Sequence, residues 1–243
     1  MGVATPDQHT AVDEFEYEIR RSTRARHARV EVAYGGVTVV LPQRAPERVA
    51  RRLVRDQYDW IVRALVKVER DRAAVAERTL ADGALIPLLG QQLDLRVVVI
   101  GTDQRESVSF GARDSRVTVR ARSDAPHELA VPLERWYRRI ARSEATERLD
   151  AATRRNGTRY SKLTIRDQST RWGSCAANGA ISINWRLLLA PEAIFDYVIE
   201  HEAAHLEIHD HSQRFWRLLD ARMPDWQQHR DWLRNNGGTL RLH

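Results

Sequence analysis

At 243 residues, 42% hydrophobic and 30% charged, the chain can build one generous core or two smaller ones and has the make-up of a folded protein. Its one cysteine, Cys175, excludes an internal disulfide and a cysteine-built zinc knuckle, so a metal would have to be held by histidines and carboxylates. The formal charge of +6 could favour anionic partners. However, Lys67 and Lys162 are the only lysines, and the arginines are spread along the whole chain, which reads as an arginine-rich surface with at most weak, non-specific nucleic-acid binding.

Residues 1–10 lack the apolar stretch of a secretory signal. The most apolar run, Leu187-Leu188-Leu189-Ala190, is soon interrupted by Pro191, Glu192 and Asp196, so no transmembrane helix is expected. The expected location is the cytoplasm, with no membrane partner.

A flexible lead is expected over residues 1–13, followed by a β-rich region over 14–125. In that region Phe15, Tyr17 and Ile19 alternate with charged residues, the period of a half-buried strand. Val30 and Val32 lead into Gly35-Gly36, and Val37 and Val39 follow, which predicts a β-hairpin. Pro46 can open a helix on which Val49, Leu53, Trp60, Ile61 and Leu65 repeat at helical spacing. A second β segment carries Leu93, Leu95, Val97 and Val99 on one face, with Val108–Phe110 and Val117–Val119 as shorter strands. The chain shows no sequence repeat.

Ser123-Asp124-Ala125-Pro126 punctuates the chain, and a second domain is expected over 126–243. A helix is predicted from Pro132 to a stop at Asn156-Gly157. Leu163–Ile165 and Ile181–Ile183 are strand candidates around the Asn178-Gly179 turn. Pro191 opens a helix carrying Ile194, Tyr197, Val198, His201 and His205, and a last helical region from about Ser212 is broken at Pro224. The fold class is α+β.

His201 and His205 are four apart on a predicted helix, so they project from one face about 6 Å apart along the axis. Two imidazoles at that spacing can share a tetrahedral Zn²⁺. Glu202 is turned by about 100°, beside the metal, where it can take a proton from a zinc-activated water. A catalytic zinc normally has a third protein ligand, and His209 and His211 both follow closely enough to supply it. The bland alternative is a pair of half-buried histidines on an amphipathic helix. His209, His127, His229 and His27 fit exposed histidines better than ligands.

Four ordered blocks add to this motif. They are Arg171-Trp172-Gly173-Ser174-Cys175, then Ile181 to Arg186, then Tyr197 to Leu206 around His201-Glu202-Ala203-Ala204-His205, and finally His211-Ser212-Gln213-Arg214-Phe215-Trp216. Together they resemble the YgjP-like metallopeptidases, small zinc proteins related to the SprT-like and minigluzincin groups. The strong match runs from about Leu163 to Leu219, and a weaker one covers the N-terminal hairpin, Pro42, Trp60-Ile61 and Leu88-Leu89-Gly90. The resemblance implies a compact zincin-like (minigluzincin) domain with an HExxH helix, with His201, His205 and His211 as zinc ligands and Glu202 as general base for peptide-bond hydrolysis. It favours His211 over His209 because the family's third histidine immediately precedes the Ser-x-x-Phe-Trp segment. Ala203-Ala204 and Asp210 depart from the common pattern without touching that ligand set.

Trp172 and Trp185 are expected on strands flanking the Asn178-Gly179 turn, where they could pair. One reading of this block is a core hairpin. The other is an edge strand along the cleft that pairs with an extended peptide, with Arg171, Trp172 and Arg186 contacting substrate. Tyr160, Arg171 and His209 are candidates for stabilising an oxyanion. A peptide or protein substrate is the first expectation. A nucleotide hydrolase on the same metal is the nearest rival, although no Gly-rich phosphate loop is present. A nucleic-acid module with a structural zinc is less compatible with Glu202, because a structural site needs a fourth ligand there.

Overall fold

The computed structural model describes residues 9–12, 15–168 and 170–242. The chain divides into two compact units, Met1–Ala74 and Val75–His243. The domain boundary expected at 125/126 therefore falls inside the second unit. The expected lead over 1–13 lies largely outside the described residues, and within it His9–Val12 forms a strand.

The first unit holds strands β1 (His9–Val12), β2 (Phe15–Ser22), β3 (Arg29–Ala33) and β4 (Gly36–Pro42) in the order β1-β2-β4-β3. The hairpin expected at Gly35-Gly36 is β3–β4, and Gly36 takes the positive φ of 106° that its turn requires. Tyr17, Val37, Val39 and Leu41 point into a core closed by Ala50, Val54 and Ile61. Those last residues lie on two helices, α1 (Arg48–Asp56) and α2 (Tyr58–Ala76), where the sequence pattern reads as one. No Pro or Gly marks the break at Gln57.

The second unit opens with β5 (Leu85–Leu88), β6 (Gln91–Val99), β7 (Ser107–Gly111) and β8 (Arg116–Ala121), in the order β5-β6-β8-β7. This sheet has the topology of the first. In both, an antiparallel hairpin precedes a strand that pairs parallel to the hairpin's second strand, and an Ala-Pro pair (Ala45-Pro46, Ala125-Pro126) leads into a helix. The repeat is one of topology, with too little sequence likeness to be read from the residues.

Helix α3 (Pro126–Asn156) begins one turn or more before Pro132, the expected start, and contains that proline. Leu129, Leu133, Trp136, Tyr137, Ala141, Ala145, Leu149 and Ala152 make its buried stripe, and Gly157 ends it with φ 66°. A third sheet, in the order β10-β11-β9, contains β9 (Lys162–Arg166), β10 (Gly173–Cys175) and β11 (Ala180–Asn184). The Asn178-Gly179 turn joins β10 to β11, while β9 pairs with β11 in parallel. A 3-10 turn (Trp185–Leu189) leads to α4 (Glu192–Ala204), followed by α5 (Gln213–Arg222) and α6 (Trp226–Asn236). Among the described residues no helix is long and apolar enough to cross a membrane.

Candidate metal centre

Helix α4 is buried nearly all round, through Ile194, Phe195, Tyr197, Val198 and Ile199, so its position is set by the core it fills. Polar clamps add to this. Arg148 of α3 donates at 2.6 Å to Glu192 and at 2.6 Å to Asp196 in the first turns of α4. The buried Glu200 accepts from Arg155 of α3 at 2.6 Å and lies 3.7 Å from Arg222 of α5. The last turn of α4 is therefore fixed from two sides, and it carries His201 and Glu202.

His205 caps α4 and keeps helical angles (φ −67°, ψ −15°), which preserves the i, i+4 spacing with His201. The chain then tightens, with Leu206 and Glu207 N–H donating to Ala203 and Ala204. Asp210 Oδ1 accepts from Ser212 N–H at 3.0 Å, and α5 starts with His211 immediately before its cap. This turn brings His211 Nε2 to 3.1 Å from the Nε2 of both His201 and His205. The three histidines are the only His/Cys/Asp/Glu group of three among the described residues with metal-ligand spacing. Phe215 stacks on His205 at 4.4 Å and Trp216 on His211 at 5.4 Å, so the first turn of α5 frames the imidazoles.

The donor set fits a zinc-like cation. Tetrahedral Zn–N bonds of about 2.0–2.1 Å place ligand nitrogens roughly 3.3 Å apart, close to the spacing here. His205 Nδ1 faces the carbonyl of Ile208 at 2.9 Å. The proton it donates there leaves the Nε2 lone pair directed at the cluster. Burial, then the neighbouring His205 and His211, bring the His201 pKa down to about 3, and burial also lowers that of His205. Both rings are neutral near pH 7, as a metal ligand must be. Imidazole nitrogens in such contact relieve their lone-pair repulsion only by sharing a proton or a cation.

Glu202 is 5% exposed, and its Oε2 has no hydrogen-bond partner. Burial raises its pKa to about 8, against the opposing charge of Arg171. The other side of its carboxylate lies on Gly173 of β10, the edge strand of the third sheet. A cavity of about 350 Å³ opens beside Glu202 and His201, lined also by Arg171 and Trp172 and by Arg230 and Arg234 of α6.

The remaining sequence-derived site residues distribute as follows. Arg171 and Trp172 face this cavity. Both are held by Asn184, which donates to the carbonyls of Gln168 and Arg171 and whose N–H donates to Trp172 O at 2.8 Å. Arg186 is engaged elsewhere, in a two-pronged pair with Asp167 at 2.7 and 3.1 Å, and does not line the cavity. Trp172 and Trp185 do not pair across the hairpin. The β10–β11 ladder ends at Gly173↔Ile183, and Trp185 turns into the core against Tyr137. Tyr160 donates to Asp150 at 2.8 Å, away from the cavity. His209, His127 and His27 are exposed, whereas His229 is half-buried, paired with Asp225 at 3.1 Å and packed beside Tyr197. Sequence reasoning missed Gly173, Asn184, Tyr197, Arg230 and Arg234. Only the glycine inside a short strand carried a local signal, since such a glycine often marks a close approach.

An α+β chain with three histidines converging beside a buried carboxylate has the groups a metal-dependent hydrolase needs. The model of the YgjP-like metallopeptidase domain matches residues 26–236, and the chain belongs to that family. A comparison with curated proteins gave no match. Among solved structures, the metallopeptidase zymogen of Pyrococcus abyssi abylysin is 23% identical, with 37% of this chain and 90% of that chain covered and a TM-score of 0.34.

Proposed function

We propose that this member of the metallopeptidase family is a zinc-dependent, cytoplasmic peptidase whose ligands are His201, His205 and His211 and whose general base is Glu202. The observation that carries the reading is the meeting of three imidazole Nε2 atoms beside a buried carboxylate oxygen with no partner. The single cysteine fits a reducing compartment. A zinc ion held there would polarise a carbonyl and activate water near neutral pH.

The chain's own groups supply the rest. Glu202, with its raised pKa, is suited to taking a proton and returning it to a leaving amine near neutral pH. The outer edge of β10 offers backbone groups to an extended peptide, next to Gly173 and Glu202. Arg171 and Trp172, positioned by Asn184, would orient that peptide. The test is metal analysis of the purified protein together with cleavage of a flexible polypeptide by wild type and Glu202→Gln, with and without chelator. Zinc-free protein, or hydrolysis of nucleoside triphosphates without peptide cleavage, would reject the reading.

A further inference from the structure

Arg230 and Arg234 stand one helical turn apart on α6 and both line the cavity that contains Glu202. Like charges at this spacing repel, so the arrangement needs a cause. Arg230 is fixed by stacking. Its guanidinium lies 4.9 Å from the Trp226 ring and 6.0 Å from the Trp216 ring, and the two rings are themselves stacked at 4.5 Å. Because Trp216 also stacks on His211, an unbroken aromatic column connects this guanidinium to the histidine cluster.

Among the described residues, the only carboxylate within ion-pair distance of the pair is Asp231, whose Oδ1 is 3.7 Å from Arg230 and 3.3 Å from Arg234. That oxygen makes no hydrogen bond, so neither guanidinium commits a donor to it. Arg171 adds a third guanidinium, and no carboxylate among the described residues lies within ion-pair distance of it. Three guanidinium groups thus line a cavity with two carboxylates near them, Asp231 and Glu202. Leu233, Tyr197 and Val198 also line the cavity and supply apolar wall. A guanidinium presents parallel N–H donors that match a planar carboxylate.

We propose that this cavity is a specificity subsite that takes a carboxylate of the peptide, held by Arg230 and Arg234. The enzyme would then cut beside an acidic side chain or near a free C-terminus. The inference rests on the peptidase reading above.

The test separates the two. Zinc-loaded Glu202→Gln protein is titrated with acetyl-tetra-alanine bearing a free carboxylate, with its amide, and with the amide carrying one internal glutamate. At least one carboxylate form should bind about 10-fold or more tighter than the neutral amide. Arg230→Gln and Arg234→Gln, each added to that background, should remove most of the preference, and the form that keeps it identifies the source. Arg234 makes no ring stack, so its variant stays informative if loss of Arg230 disturbs the fold. Equal affinity for charged and neutral peptides, or a preference that survives both substitutions, would overturn the proposal. So would adenosine triphosphate binding tighter than any peptide with the same arginine dependence. Carboxylate-dependent binding without peptide cleavage by wild type would support the subsite and remove the peptidase reading alone.

Discussion

Gly173 and Glu202 are packed so closely that a side chain on one would displace the other. A Cβ built on Gly173 would stand 2.7 Å from Glu202 Cγ and 2.8 Å from Cδ. Gly173 lies on β10 and Glu202 on the last turn of α4, so this approach fixes the edge strand against the candidate base. Gly173→Ala should leave the histidine cluster intact but push the carboxylate aside. Zinc content is expected to stay unchanged while kcat falls on the order of 10²-fold, the usual effect of misplacing a reacting group by about 1 Å. A variant with normal turnover would mean that Glu202 can move freely.

Glu202→Gln preserves shape and removes the proton acceptor. Turnover is expected to fall by roughly 10²–10⁴ with zinc retained. Near-normal turnover on a cleaved peptide would rule out Glu202 as the base.

The third histidine can be tested by metal content. His211 meets both α4 imidazoles at 3.1 Å, while His209 is exposed and outside the cluster. His211→Ala should release zinc under dialysis conditions in which His209→Ala retains it, as followed by elemental analysis. Chelation of the wild type should lower its melting temperature, since a ligand at 100 times its Kd stabilises the native state by about 2.7 kcal/mol. If zinc content follows His209 instead, the ligand assignment fails.

Local signals made part of this readable. Gly35-Gly36 and the alternating valines specify the β3–β4 hairpin, and the apolar residues after Pro191 specify α4, on which spacing alone puts His201 and His205 on one face. Features set by distant packing were not readable. The parallel pairing of β9 with β11 leaves no local trace, so Leu163–Ile165 read as a hairpin arm. Trp185 read as a strand residue because nothing marks Asn184 as the end of β11. The Asn184 side chain accepts from Arg186 N–H and starts the 3-10 turn there. Arg230 and Arg234 looked like an ordinary charged helix face, and only the return of α6 to α4 places them at the cavity.

The final expectation concerns pH and the metal-free protein. The folded-state pKa of Glu202 is about 8, above its ordinary value of 4.5, because burial penalises the carboxylate. Between these values the folded chain keeps a proton that the unfolded chain has lost, so stability falls as pH rises. The stabilising term is therefore complete below about pH 4.5 and gone above about pH 8. Glutamine cannot lose that proton. Metal-free Glu202→Gln should then be more stable than metal-free wild type at pH 8 by an amount on the order of a few kcal/mol, and so melt higher, and the gap should close toward pH 5. His201 acts in the opposite sense in both proteins. Its folded pKa of about 3 lies below the ordinary 6.5, so both lose stability as pH falls from 6.5 toward 3, and the term cancels in the comparison. Thermal melts of the two metal-free proteins across pH 5–8 decide the matter, and parallel curves with a constant offset would show that Glu202 does not titrate in this window.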